Sequence, residues 1–449
     1  MVKLKKVVIY LLILLMWTGC TESSSKVVGQ HEVEPLYELV SGSTRKISQI
    51  AGDYDFQSGQ LTPNQTITRY NLMGTDGGNS FEYDGKLWFF FGDSDHIFPV
   101  SEDMENLNAM AWATVEDPEN LTLQFLTDTE RIPGKTVWLA PILVDAQGQE
   151  KNLQAFNTQL DGFSDGDDLY VLWSQDFMSR SVLSKTDDPT APFKIVYDLG
   201  DSHFINVDAV GQNDIEIPGL EEYGRTDWIL FYGSGTVKNK HVYMAVTPRD
   251  RLREGDRDAV YFLSGYDFSQ SEPVLNWSKD EDKSVRLFEI EGNGFDFTMG
   301  PFHSPWGGTE PNVFFVEKLN LYFAVYTDLF TVRLRTANSP WGPWTDPITI
   351  FVPWEDYGYG PAFGTFLHNP ELADGKTLKP GDCAGGEHHP LCDRIHDDGH
   401  EADGGGVYGA WVIEKFLEVS ENGEITLYYL LSTQNPYNVV LLTSRLQKR

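Results

Sequence analysis

The chain has 449 residues, 67 of them acidic against 34 basic, for a formal net charge of −33. A surface of that sign repels phosphate backbones and anionic lipid headgroups, which argues against a nucleic-acid partner and leaves room for a neutral ligand such as a glycan. Aromatic residues at 13% and 41 glycines suit a protein of strands and turns, and all-β units of this length occur as single domains.

Lys3, Lys5 and Lys6 precede an unbroken apolar run from Val7 to Trp17. The run is too short to cross a hydrocarbon core of about 30 Å as a helix. A positive flank and a short apolar stretch are the marks of a secretory signal. The run ends in Thr18-Gly19-Cys20, which resembles a lipobox with Cys20 as the lipidated residue. Residues 1–20 are therefore expected to be a lipoprotein signal peptide, with the mature chain anchored by lipid in the cell envelope. An uncleaved anchor would also leave the bulk of the protein outside the cytoplasm. Residues 21–45 are polar and aperiodic and are expected to form a tether. Residues 46–449 are expected to form one domain, and a monomer.

A pattern then recurs five times: an apolar, aromatic-rich strand, a polar turn, and a second strand ending in a small or hydroxyl residue. The copies begin at Leu87, Leu169, Trp228, Leu321 and Ile425, and their partners at Ala109, Ser181, Val242, Val332 and Val439. Each copy reads as a hairpin. No segment with helical period runs longer than a turn or two. Self-similar hairpins with further strand-like runs before each predict an all-β, five-bladed β-propeller rather than a sandwich.

The longest interruption, residues 373–406, is rich in Gly, Asp and His and reads as a loop insertion. It holds Cys383 and Cys392, for which a disulfide is the simple reading in an oxidising compartment. His388, His389, His396 and His400 match no strong metal signature. The run Asp161–Asp168 resembles a calcium loop only loosely. No phosphate-binding glycine loop and no nucleophile elbow is present, so neither metal nor cofactor is expected.

A propeller binds ligands at one end of its channel, where inner-strand ends and loops converge. The densest acidic pattern of that kind is Gly74-Thr75-Asp76-Gly77-Gly78 followed by Gly92-Asp93-Ser94-Asp95. A turn at Asp84-Gly85 would bring Asp76 and Asp93 together. Two neighbouring carboxylates flanked by aromatics are what glycoside hydrolysis requires, one protonated and one ionised. The same residues would also serve as turn residues accepting local N–H bonds. Glu310, ahead of the strand at Val313, would complete an acidic trio as a third catalytic candidate. Asp95, Asp208, Trp306, Asn435 and Tyr437 stand as substrate-binding candidates. Most of the other aromatics, Trp341 and Trp344 among them, read as blade core.

These motifs resemble a known family. The first-blade pair, Ser339-Pro340-Trp341-Gly342-Pro343-Trp344, and Ser432-Thr433-Gln434-Asn435-Pro436-Tyr437 are similar, in this order, to motifs of the domain of unknown function 4185 family. The resemblance spans about residue 69 to the C-terminus. It implies a five-bladed propeller. Part of that family is classified as glycoside hydrolase family 183, endo-acting enzymes that cut D-arabinan, with carboxylates at the positions of Asp76 and Asp93. Gly77-Gly78, Asp95 and the long His and Cys loop depart from the family pattern. The resemblance therefore carries glycan hydrolysis further than it carries D-arabinan. The rival expectation is a non-catalytic, glycan-binding surface lipoprotein.

Overall fold

The computed structural model of the protein describes residues 33–449 apart from 56, 97–107, 130–135, 152, 154–156, 236–240, 271, 291–297, 300–301, 304–310, 329–330, 354–406 and 434–436. Five sheets, antiparallel except for the short edge strand Leu143–Val144 of the second, follow one another along the chain. The inner pairs of strands are Leu72–Tyr83 with Lys86–His96, Gln159–Asp165 with Asp168–Gln175, Asn206–Ile215 with Thr226–Ser234, Asn312–Val316 with Leu321–Thr327, and Val407–Val412 with Ile425–Thr433. All five hairpins expected from sequence pair as read, each supplying the second and third strands of a blade.

Burial shows why the repeat is so apolar. Each second strand lies between two neighbouring sheets, so both of its faces are covered. Leu87, Phe89 and Phe91 pack with Leu430 and Tyr428 of blade 5. Trp88 and Phe90, on the opposite face, pack with Leu169, Val171 and Trp173 of blade 2. The period is two, as a strand requires. Five hydrophobic clusters result, one at each junction between successive blades, including the junction of blade 5 with blade 1. A sandwich has one core between two sheets. Five cores between five sheets, closing on themselves, make a five-bladed propeller. Trp341 and Trp344 belong to the junction of blades 3 and 4, as expected.

The outer edge of blade 5 is supplied from the other end of the chain. Tyr37–Leu39 and Arg45–Gln49 both pair antiparallel with Asn438–Lys448. This corrects the expected tether at residues 21–45, whose last part is a strand of the fold. A three-residue strand shows no periodicity, and its partner lies about 400 residues away, so local sequence carries no sign of it. The described helices are single turns, such as Thr66–Tyr70 and Arg249–Arg253. No helix among the described residues is long and apolar enough to cross a membrane. Cys20, Cys383, Cys392, the His-rich segment, Trp306, Glu310 and Asn435 lie outside the described residues.

Candidate active site at one mouth of the channel

The inner strands line the channel with their N-terminal ends at one mouth. In blade 1 the turn at Asp84-Gly85 has both residues at positive φ, 49° and 70°. That is the type I′ geometry that keeps a tight hairpin in register. Counting back from the turn, Asp76 pairs with Gly92 and Gly74 with Asp95. Asp93 and Ser94 therefore share the place opposite Thr75, in a bulge. Thr75 Oγ1 lies 3.0 Å from the Gly92 carbonyl oxygen and 2.7 Å from Ser94 Oγ, which pins the bulge. Asp93 has φ 38°, a left-handed conformation that Asp tolerates better than most residues. Bulges of this kind re-aim a side chain. Asp76 and Asp93 are brought together as the sequence predicts, and Asp95 stands at the same strand end.

Three glycines make the approach possible. A Cβ on Gly92 would come within 2.5 Å of Thr158 Oγ1 and 2.9 Å of Asp76 Oδ1. A Cβ on Gly78 would meet Leu430 Cδ1 of blade 5 at 2.6 Å. The Gly77 N–H donates to Ser432 Oγ at 2.9 Å. Blade 1 is thus pressed against blades 2 and 5 around Asp76.

Two tyrosines collar the acids. The Tyr408 hydroxyl donates to Asp76 Oδ2 at 3.1 Å. Burial holds the Tyr408 phenol well above its ordinary range, and the charges of Asp76 and Asp93 push it in the same direction. Tyr437 is raised by the same causes, burial first, then Asp76, Tyr408 and Asp93. Both phenols therefore stay protonated, as donors facing carboxylates. A carboxylate that accepts such bonds is favoured in its ionised form. Tyr437 was a predicted site residue. Nothing in the local sequence marks Tyr408 as a site residue, because its position beside Asp76 depends on ring closure.

Asp208 lies one layer deeper and has another role. Its Oδ2 accepts from the Val313 N–H at 2.6 Å, and its Oδ1 accepts from the Asn312 side-chain amide at 3.2 Å. Asn312 Oδ1 accepts from the Val412 N–H at 2.8 Å. Asp161 Oδ2 accepts from the Ala209 N–H at 2.8 Å. Each side chain reaches forward to the backbone of the next blade, so blades 2 to 5 are joined by a belt of Asp and Asn around the channel. Both oxygens of Asp208, a substrate-binding candidate by sequence, are engaged by blade 4. The signal in the sequence is an Asp or Asn at the start of successive inner strands, visible only once those strands are aligned.

Beyond the belt the channel opens into a cavity of about 490 Å³, lined by Glu82, Asp161, Asp208, Glu317 and Glu414 with Arg249 and Lys415. Burial raises Asp161 to about 7. Burial and then the charge of Asp161 raise Asp208 well above the carboxylate range. Glu414 is exposed in the cavity wall, and the surrounding protein and then the charge of Glu82 raise it too, to about 7. The loosely calcium-like run is a hairpin end here: Asp165 is clasped by Arg253 at 2.6 Å. Among the described residues no cluster of His, Cys, Asp and Glu is placed to hold a metal ion.

No family model and no curated protein matches the chain. Solved structures similar to it include the catalytic domain of a GH62 α-L-arabinofuranosidase from Coprinopsis cinerea, at 13% identity, covering 90% of this chain and 98% of that one, with a TM-score of 0.36. An endo-arabinase from Bacteroides thetaiotaomicron is 9% identical over 89% and 98% of the two chains, with a TM-score of 0.37. CoXyl43, a GH43 β-xylosidase/α-arabinofuranosidase from a compost microbial metagenome, is 14% identical over 83% and 91%, with a TM-score of 0.35. At these scores the likeness adds nothing to the ring that the chain's own sheets define.

Proposed function

We propose that the protein is a glycoside hydrolase acting on an extracellular polysaccharide, with Asp76 and Asp93 as its carboxylate pair. The observation that carries this reading is their juxtaposition across a bulge at the channel mouth, beside two tyrosines that remain protonated. Hydrolysis of a glycosidic bond needs one carboxyl to protonate the leaving oxygen and one carboxylate to attack the sugar or activate water. The Tyr408 hydroxyl favours the ionised form of Asp76, which suits Asp76 to the second task and Asp93 to the first. Glu310 precedes the inner strand of blade 4 in sequence and is the third candidate, to bind substrate or tune a neighbour. The strongly acidic chain favours a neutral glycan. Within that class a furanose polymer of the arabinan type, cut internally, is the first substrate to try, on the strength of the family resemblance. Export through the signal at residues 1–20 and anchoring at Cys20 would place the enzyme where such polymers occur.

The test is product release from arabinans, arabinogalactans and other furanose-rich polysaccharides by wild type beside Asp76→Asn and Asp93→Asn. Loss of products in both variants, with folding retained, supports the assignment. Full activity in both removes it. Retention of a polysaccharide on an affinity gel without any product would favour the glycan-binding lipoprotein instead.

A further inference from the structure

The hairpin turn of blade 2 contains three successive non-glycine residues at positive φ: Asp176 at 54°, Phe177 at 58° and Met178 at 53°. A left-handed conformation is an outlier for a bulky side chain, and here three residues adopt it in a row. The turn is fastened at each end. The Phe177 N–H donates to Asn157 Oδ1 at 2.8 Å, and the Ser179 N–H to the Gln175 carbonyl at 3.1 Å. Arg180 Nε bridges back to Asp176 at 2.6 Å. The result holds the Phe177 ring in solvent, 68% exposed, more than any other large hydrophobic residue among those described.

An exposed apolar side chain means little alone. Its position gives it meaning. The turn follows Ser174, whose N–H donates to the Thr158 carbonyl at 2.8 Å. It therefore stands at the same end of its blade as Asp76 does of blade 1. Asn157, which holds the Phe177 backbone, is the residue before Thr158, and the Thr158 hydroxyl crowds Gly92 together with Asp76 Oδ1. Asn157 and Thr158 thus connect the Phe177 backbone to the surroundings of Asp76. Backbone strain held by surrounding contacts marks functional positions, and a flat apolar ring beside a hydrolytic site suits the apolar face of a sugar ring.

We propose that Phe177 is a substrate-binding platform at the rim of the mouth, stacking on a saccharide unit of a neutral polysaccharide next to the unit being cut. The inference rests on the hydrolase reading and adds a specificity residue to it. The experiment compares wild type, Phe177→Ala and Phe177→Trp on the polysaccharide that wild type cleaves, with thermal unfolding as a control for folding. The result expected is a KM about 10-fold higher for Phe177→Ala at nearly unchanged kcat, and a KM near wild type for Phe177→Trp. The same order should appear as retention in an affinity gel when each change is made on the inactive Asp76→Asn background. Cleavage by wild type with an unchanged KM in Phe177→Ala overturns the platform and leaves the hydrolase intact. A fall in kcat alone also overturns it. Absence of both cleavage and retention by wild type overturns the two together.

Discussion

At the scale of single residues, the candidate site is a set of side chains placed by backbone constraint. Asp93 sits in a left-handed bulge, a conformation costing of order 1–2 kcal/mol for an ordinary residue. Thr75 holds the bulge and Gly92 leaves room for Asp76 beside it. The Tyr408 hydroxyl then donates to Asp76 and favours its ionised form. Its removal in Tyr408→Phe should lower kcat about 10- to 100-fold, since a hydrogen bond to a charged group contributes about 1.5–3 kcal/mol. The direction of the pH shift follows as well. Without the donor, ionised Asp76 is less favoured and its pKa rises, so the acid limb of the pH–rate profile should move upward. A profile unchanged in Tyr408→Phe would mean that Asp76 is not the group that must be ionised. The Asp76 and Asp93 motif was legible in the sequence because its members are joined by one tight hairpin. Tyr408 and Thr158 were not, since they arrive from other blades.

At the scale of elements, the inner strands are joined by the Asp and Asn belt, and this has a consequence for stability against pH. Asp161 is buried and its folded-state pKa is raised from 3.8 to about 7. The folded chain therefore holds this proton more tightly than the unfolded chain does. Stability from this group is full below about pH 4 and is lost as pH rises to about 7. A rise of about three units corresponds to at most about 4 kcal/mol, shared with Asp208, which titrates with it. Asp161→Asn keeps an oxygen to accept from the Ala209 N–H and removes the charge. It should raise the melting temperature by several degrees at pH 8 and leave it nearly unchanged at pH 4. Equal shifts at both pH values would show that Asp161 ionises as readily in the folded protein as in the unfolded chain. The strands themselves were legible. The second strand of every blade is apolar on both faces because blades cover it from both sides. The belt was not legible, because an isolated Asp such as Asp208 looks the same as a ligand-binding one until its neighbour in the next blade is known.

At the scale of the molecule, the ring is closed by two strands from the N-terminal end. Tyr37 is buried in the junction of blades 4 and 5, and the Asp346 N–H donates to the Val33 carbonyl at 2.8 Å. A chain lacking residues 1–32 keeps both strands and is the reference for thermal unfolding. Removing residues 1–49 strips the outer edge of blade 5, uncovers Leu442 and Leu446, and should lower the melting temperature by more than about 10 °C or abolish soluble expression. Similar melting of the two truncations would show that the closure contributes little. Five-fold repetition was readable in the five hairpins, but closure was not, since it joins residues at opposite ends of the chain.

The central claim is that the acids at the mouth cut a glycan. It is tested most directly by incubating the protein with a panel of arabinans, arabinogalactans and related furanose-rich polysaccharides and analysing the soluble products, wild type beside Asp76→Asn. Oligosaccharides released by wild type and not by a folded Asp76→Asn are the predicted result. Equal release by both, or none from any polymer alongside plain retention of one of them, would contradict it.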